Sequence, residues 1–293
     1  MKRQTIIQLT LLAGLLVGST IPSAAQKKGN YEWFVVELGG GLQNIQFAPK
    51  NGEHTAGVGS AIAAKYLRHL NGQWSVSGGL GFANYSSKAE FNMLETTQEF
   101  DNENNRPYEL RTEYINFTEK QKMYQIEIPV GATFRIENIL SDNDLYLGMG
   151  LRFGIPVSSR YKLKSGQYKV SGYYPSLDVQ FEDMEEHDFY TVEAEKQKGK
   201  TNIAGFYMSI YGEALLHKRL SKTMSAYSGL YFSYCPLNIA KPTDAPIVDT
   251  GRQYNSSLNS NQVDKAHLAT IGLKAAILLD FRKTFHISSS TKF

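Results

Sequence analysis

Gln125-Ile126-Glu127-Ile128-Pro129-Val130-Gly131-Ala132-Thr133-Phe134-Arg135-Ile136 divides into two faces. Ile126, Ile128, Val130, Ala132, Phe134 and Ile136 fall on one, and Gln125, Glu127, Pro129, Gly131, Thr133 and Arg135 on the other. Residues 145–157 repeat the arrangement. Leu145, Leu147, Met149, Leu151, Phe153, Ile155 and Val157 oppose Tyr146, Gly148, Gly150, Arg152, Gly154 and Pro156. Successive side chains of a strand point to opposite sides, so a period of two predicts strands and not helices.

Six further segments alternate in the same way at lower contrast: 31–43, 57–69, 73–86, 203–217, 224–235 and 266–281. Runs of this length exceed the usual 5–6 residues of a soluble strand. They match the roughly 9–11 residues that a tilted strand needs to cross a bilayer. The connections point the same way. Those at 70–72, 137–144 and 218–223 are short, and the first carries an Asn71-Gly72 hairpin signal. Those at 44–56, 87–122, 158–202 and 236–265 are long and polar. Short turns alternating with long loops predict an all-β, eight-stranded antiparallel up-and-down transmembrane β-barrel with long extracellular loops. The competing fold is a soluble β-barrel or sandwich, because alternation alone does not say which face is inward.

With the apolar faces toward lipid, the lumen becomes small and polar, rich in Gly, Ser and Tyr. It would also hold Glu37, Glu127, Glu213 and Asp280 against Lys65, Arg135, Arg152 and Lys274. Desolvated charges persist when paired, and an eight-stranded barrel is just wide enough for side chains to fill. These eight residues therefore read as a charge network plugging the barrel, with an ion path as the competing reading. Trp74, Tyr66 and Phe281 fall near strand ends, where aromatic girdles belong. Pro129 and Pro156 require bulges or interruptions of the ladder, since a closed barrel has no edge to receive them.

Trp33-Phe34-Val35-Val36-Glu37-Leu38-Gly39-Gly40-Gly41-Leu42, Gln125–Gly131 and Leu145–Arg152 resemble the PorT-like outer-membrane β-barrel family of Bacteroidota, a small outer-membrane protein β-barrel domain. The resemblance spans most of the chain after residue 25. It implies a small barrel without assigned catalytic residues, and some members are linked to type IX secretion. The last strand, 270–281, is similar in kind to a barrel-assembly signal.

The 293 residues carry 31 Lys plus Arg against 28 Asp plus Glu, too even a balance for a nucleic-acid-binding surface. One Cys excludes an internal disulfide framework and any multi-Cys metal site. Lys2 and Arg3, a short apolar run from Ile6 to Val17 and the small residues Ser23, Ala24 and Ala25 describe a secretory signal over 1–25. The barrel domain is then expected over 26–281, with a short tail over 282–293.

Candidate chemistry is sparse. His286-Ile287-Ser288 resembles the His-x-Ser pair of outer-membrane lipid A deacylases, but no acid follows it and it lies beyond the last strand. The acidic run 182–188 lacks the spacing and turn Gly of a calcium loop. Neither a metal site nor a cofactor is expected. The remaining signal is the aromatic loop 158–202, where Tyr168, Tyr173, Tyr174, Phe181, Phe189 and Tyr190 form either a contact surface or an ordered cap. The expectation is a non-enzymatic barrel in the outer membrane of a Gram-negative bacterium. It would serve as a surface scaffold or an accessory subunit of an outer-membrane or secretion assembly. Its partners would be outer-membrane lipid and another outer-membrane or periplasmic protein. A narrow porin or small-ligand-binding barrel is the alternative, and a lipid A hydrolase a distant third.

Overall fold

The structure, a computed structural model, describes residues 32–140, 143–193, 197–248 and 254–280. The expected signal segment, Phe281, the tail 282–293 and the His286–Ser288 pair lie outside them. The described residues form an antiparallel, strand-rich fold. In chain order the strands are β1 (Glu32–Phe47), β2 (Gly52–Ala56), β3 (Val58–His69), β4 (Trp74–Asp101), β5 (Arg106–Leu140) and β6 (Asn143–Tyr174). They continue with β7 (Val179–Phe181), β8 (Thr191–Glu193), β9 (Lys198–Lys200), β10 (Tyr207–Arg219), β11 (Met224–Cys235) and β12 (Ala266–Asp280).

Hydrogen-bonded pairing runs β10-β11-β12-β1-β3-β4-β5-β6 and returns from β6 to β10, so a ring of pairings closes through eight strands. Each neighbouring pair in the ring is antiparallel, from Val36↔Ile277 in β1–β12 to Glu213↔Gly148 at the β10–β6 closure. The short turns are built by local side chains. Asn71 Oδ1 accepts from the backbone N–H groups of Gln73 and Trp74, and Ser221 Oγ from those of Thr223 and Met224. Both are side-chain turns of the kind Asn and Ser favour.

The ring strands fall where the alternation predicts, with corrections at their outer ends. The segment expected to begin at 203 starts its strand at Tyr207. Residues 87–122 are not a loop: β4 and β5 continue outward as one hairpin, pairing to Asp101↔Arg106. Residues 103–117 alternate weakly in keeping with this hairpin, Leu110, Thr112 and Tyr114 against Arg111, Glu113 and Ile115. The first part of 158–202 is likewise the continuation of β6, on which β7, β8 and β9 fold back. Asn116 is an extra residue of β5 between Ile115 and Thr118, and its positive φ of 47° falls in the left-handed region that Asn tolerates. Opposite it, Gly166 has φ 88°, and a Cβ there would strike the Asn116 carbonyl. Both prolines meet breaks in the ladder. Pairing of β4 with β5 lapses between Gly78↔Val130 and Gly81↔Glu127 beside Pro129, and the β5–β6 register shifts next to Pro156.

The two faces of the ring divide as expected from a lipid-facing exterior. Leu38, Leu80, Met149, Leu230 and Leu273 point outward and are exposed, Leu273 at 68%. Trp74, which packs on Phe134, and the stacked pair Phe82–Tyr124 lie at opposite ends of this apolar band. Trp74 and Phe82 are eight residues apart on β4, about 26 Å along the strand. Beyond Tyr124 the pattern inverts. Tyr85, Phe91, Tyr114, Phe117, Met123 and Leu163 turn inward and are buried, while Lys122 and Lys162 face solvent. The outer core they form also takes in Ile239, Ile247, Val248, Leu258 and Val263 from the segment between β11 and β12.

Candidate functional site

Inside the ring, Glu37 of β1 is the hub of a charge cluster. Lys65 of β3 reaches its Oε2 at 2.9 Å, and Lys274 of β12 lies 3.2 Å from its Oε1. Lys274 also donates to Glu213 of β10 at 2.6 Å. A second pair, Arg152 of β6 and Glu127 of β5, stands at 3.4 Å. The Tyr211 ring joins the two, with Lys65 at 5.4 Å and Arg152 at 5.3 Å from its centroid. Tyr85 donates to Glu127 at 3.3 Å, and Gln43 donates to Tyr231 at 2.7 Å. Tyrosine rings from one strand lie against glycines of the next, so a Cβ at Gly154 would strike Tyr207.

Six of the eight expected lumen charges thus come together. Arg135 and Asp280 do not join them, which corrects the expected network of four acids and four bases. Arg135 lies at the short-turn end, where its side chain donates to Asp144 at 2.7 and 3.0 Å and pairs with Glu137 at 3.2 Å. Asp144 also stands 3.6 Å from His217. Asp280 is buried at the same end, its backbone N–H donating to the Thr223 carbonyl. Period two correctly assigned both residues to the inner face, but height along the strand decides who meets whom. The cavity left among Glu37, Glu127, Arg152, Tyr231 and Lys274 measures about 10 Å³, room for about one water molecule.

A second polar centre lies above the lumen. Glu119 of β5 is fully buried and accepts from Gln121 Nε2 at 2.8 Å, Ser256 Oγ at 2.7 Å, Ser257 N–H at 3.0 Å, Ser257 Oγ at 3.1 Å and the Tyr254 hydroxyl. Glu95 of β4 accepts from Tyr114 at 3.1 Å and from Ile247 N–H and Gln262 Nε2, each at 3.2 Å. These bonds fasten the segment between β11 and β12 across the top of the ring. Burial and the adjacent carboxylates push the Tyr114 and Tyr254 hydroxyls well above their ordinary range. Sequence reading missed both glutamates, because 87–122 read as loop. The available signal was Phe117, Glu119, Gln121 and Met123, which continue the inward parity of Gln125 and Glu127.

The aromatic set of 158–202 is mostly internal. Tyr168, Tyr174, Phe189 and Tyr190 are buried, while Tyr173 and Phe181 are half-buried. Tyr168 packs on Phe117, Tyr114 and Tyr190, and Tyr174 on Tyr108 and Phe181. The buried four are packing groups, which corrects their reading as a contact surface and fits the ordered cap. Tyr173 stacks under Arg111 at 3.8 Å. At the hairpin tip a cleft of about 310 Å³ is lined by Arg106, Tyr174, Leu177, Phe181, Met184 and His187, among others. Among the described residues no group of three or more His, Cys, Asp or Glu side chains could hold a metal ion. Cys235 is buried in the outer core, its thiol 3.6 Å from the Leu237 carbonyl.

Comparison with known proteins adds a family. Residues 24–190 match the model of the outer membrane protein beta-barrel domain, more than half of the chain. Among solved structures, the crystal structure of Ail, the attachment invasion locus protein of Yersinia pestis, in complex with the heparin analogue sucrose octasulfate, is similar at 9% identity. That match covers 85% of this chain and 99% of that one, with a TM-score of 0.31. No curated protein matches the sequence.

Proposed function

Because the chain belongs to the outer membrane protein beta-barrel domain family and is therefore an outer-membrane barrel protein, we propose that it is a plugged eight-stranded barrel working through its projecting hairpins. In this reading it is a non-enzymatic surface scaffold or an accessory subunit of an outer-membrane assembly. Outer-membrane lipid surrounds it, and another outer-membrane or periplasmic protein is its partner. The observation that carries the reading is the filled lumen, with its cavity of about 10 Å³, beneath an ordered extension of β4, β5 and β6. A site that leaves no room for solute inside and builds about twenty extra residues onto each of three strands puts its contact area outside the bilayer. Affinity with the PorT-like barrels of Bacteroidota, export through a cleaved signal and a link to secretion belong to the same proposal.

Cross-linking in intact membranes, gentle solubilisation and mass spectrometry of the tagged protein test it. A stoichiometric partner is expected, and it should be lost when residues 94–113 are replaced by an Asn-Gly turn, leaving Met93↔Tyr114 to close the hairpin. A barrel recovered without a partner would argue against the assembly role. In planar bilayers the protein should be electrically silent, and resolved conductance steps would sink the plugged reading. One observation favours a second reading, a small-ligand-binding barrel: the hairpin-tip cleft is of the size that holds small molecules and sets apolar walls beside Arg106 and His187.

A further inference from the structure

Across the outer face of four adjoining strands runs a line of like charges. Lys88 of β4 stands opposite Lys120 of β5, Lys120 opposite Lys162 of β6, and Lys162 opposite Lys198 of β9. Two residues nearer the apolar band, Lys122 stands opposite Arg160, and Arg160 opposite Lys200. Lys120 is half-exposed and the other six are exposed. The four-residue row spans about 14 Å, and the two rows are about 7 Å apart. Like charges directly opposite one another destabilise a sheet. Partial burial, followed by repulsion from Lys122, Lys164 and Lys88, lowers the Lys120 ammonium from its ordinary range. Glu90 lies 3.6 Å from Lys88, and with Glu53 it occupies the next row away from the band. The hydrogen-bonded sheet gains nothing from gathering seven cations here; an anionic ligand would.

The height of the lattice identifies that ligand's class. On β5 the outward residue next below Lys122 is Tyr124, stacked on Phe82, and below it come Ile126 and Val130. The cations therefore begin one outward step past the aromatic rim of the lipid-facing band, where headgroups lie. We propose that this lattice binds the phosphorylated saccharide headgroup of the outer-leaflet glycolipid. The proposal rests on the reading above that the long hairpins point away from the cell. Ammonium groups bind phosphate as point charges, and Arg160 adds a planar fork able to take two phosphate oxygens. Continuity with the lipid-facing band favours a lipid over a soluble polyanion.

The test uses the refolded full-length protein in neutral detergent. It is titrated with diphosphoryl lipid A, with the dephosphorylated lipid of the same acyl chains, with phosphatidylglycerol and with inorganic pyrophosphate. Diphosphoryl lipid A should bind at least tenfold more tightly than any of the others. Combining Lys120→Gln, Lys122→Gln, Arg160→Gln and Lys162→Gln should weaken it about a hundredfold and flatten its salt dependence. The quadruple variant should keep the heat-modifiable gel migration of a folded barrel, and Lys→Arg at the three lysines should restore binding. Equal binding of the two lipid A forms, or of the two proteins, would overturn the proposal. Phosphatidylglycerol binding as tightly would overturn the glycolipid as ligand, and pyrophosphate binding as tightly would assign the site to a soluble anion. Separately, Lys120→Cys in a Cys235→Ser background should react with an impermeant maleimide on intact cells. Labelling confined to permeabilised cells would overturn the outward orientation, and the outer-leaflet assignment with it, whatever the micelle titration gives.

Discussion

Glu37, Glu127 and Glu213 inside the ring are met by Lys65, Lys274 and Arg152, whereas Glu119 and Glu95 above it gather hydroxyl, amide and backbone donors. The two centres are built from the same acid and do different work. In the lumen each charge sits on a strand of the ring, so the pairs cross-brace a wall that is already closed by its ladder. In the cap, the acceptors sit on β4 and β5 and, apart from Tyr114 and Gln121, the donors come from a segment more than 130 residues away that has no strand of its own among the described residues. Hydrogen bonds to a carboxylate contribute about 1.5–3 kcal/mol each, enough to hold such a segment down. Lumen charges therefore bear on whether the ring is stable, and cap carboxylates on whether its outer mouth stays covered.

The largest effect is expected from Lys274→Met, which strips Glu213 of its 2.6 Å partner and leaves Glu37 with Lys65. Removing one member of a buried ion pair costs about 3–5 kcal/mol. Urea unfolding in detergent should show that loss for the whole ring, and an unchanged midpoint would remove the distinction between the centres. Glu119→Gln should cost about 2 kcal/mol, confined to the cap. Proteolysis within 236–265 should quicken while heat-modifiable migration stays as it was. If the ring loosens as well, the two centres form one cooperative unit.

Alkaline pH sharpens the comparison further. Tyr114 and Tyr254 have folded-state values raised above the usual value of about 10. Their contribution is whole below pH 10 and is lost as pH rises toward the folded values. Tyrosinate absorbance should therefore rise for exposed tyrosines first, with a later step accompanying release of the cap. Substituting Phe at both positions should abolish the later step. The smallest effect is expected at the hairpin tip. Hydrogen bonds from the Asn104 side chain and backbone and from Tyr174 hold the exposed Asp101 carboxyl down at about 2. Its contribution is present above the ordinary carboxylate range and disappears as pH falls through about 2. Asp101→Asn should shift local NMR signals around Asn104 and leave the unfolding midpoint where it was.

The contrast between the two regions also explains what the sequence disclosed. Within the bilayer-sized band the outer face is predominantly apolar, as in Ile126, Ile128 and Val130, so period two is loud and the ring strands could be placed from it. Past Tyr124 the same strand keeps its period but exchanges the meaning of its faces. Phe117 and Met123 turn inward, and Lys120 and Lys122 outward. A reader following one apolar face loses the strand at that exchange, and 87–122 then looks like polar loop. Inner-face membership of the eight charges was legible from parity, but strand stagger separates Arg135 from Glu37. Asp144, its actual partner, lies in what read as a turn. The fastening of Ser256 and Ser257 onto Glu119 joins residues far apart in the chain, and no local pattern announces it.

Asn116 gives β5 a change of reading frame. Inward side chains carry odd numbers from Glu127 to Phe117 and even numbers from Tyr114 to Leu110. β6 makes two changes of its own, one beside Pro156, between inward Arg152 and inward Tyr161, and one at Lys164, between inward Leu163 and inward Tyr168, and β4 makes none. Deleting Asn116 would act on side-chain orientation as a lost nucleotide acts on codons. Every residue of β5 beyond it would be read on the wrong face, with Ile115, Glu113 and Arg111 delivered to the core and Tyr114 and Thr112 to solvent. Point substitutions along the hairpin can be absorbed one at a time, but its length in residues cannot be edited by one.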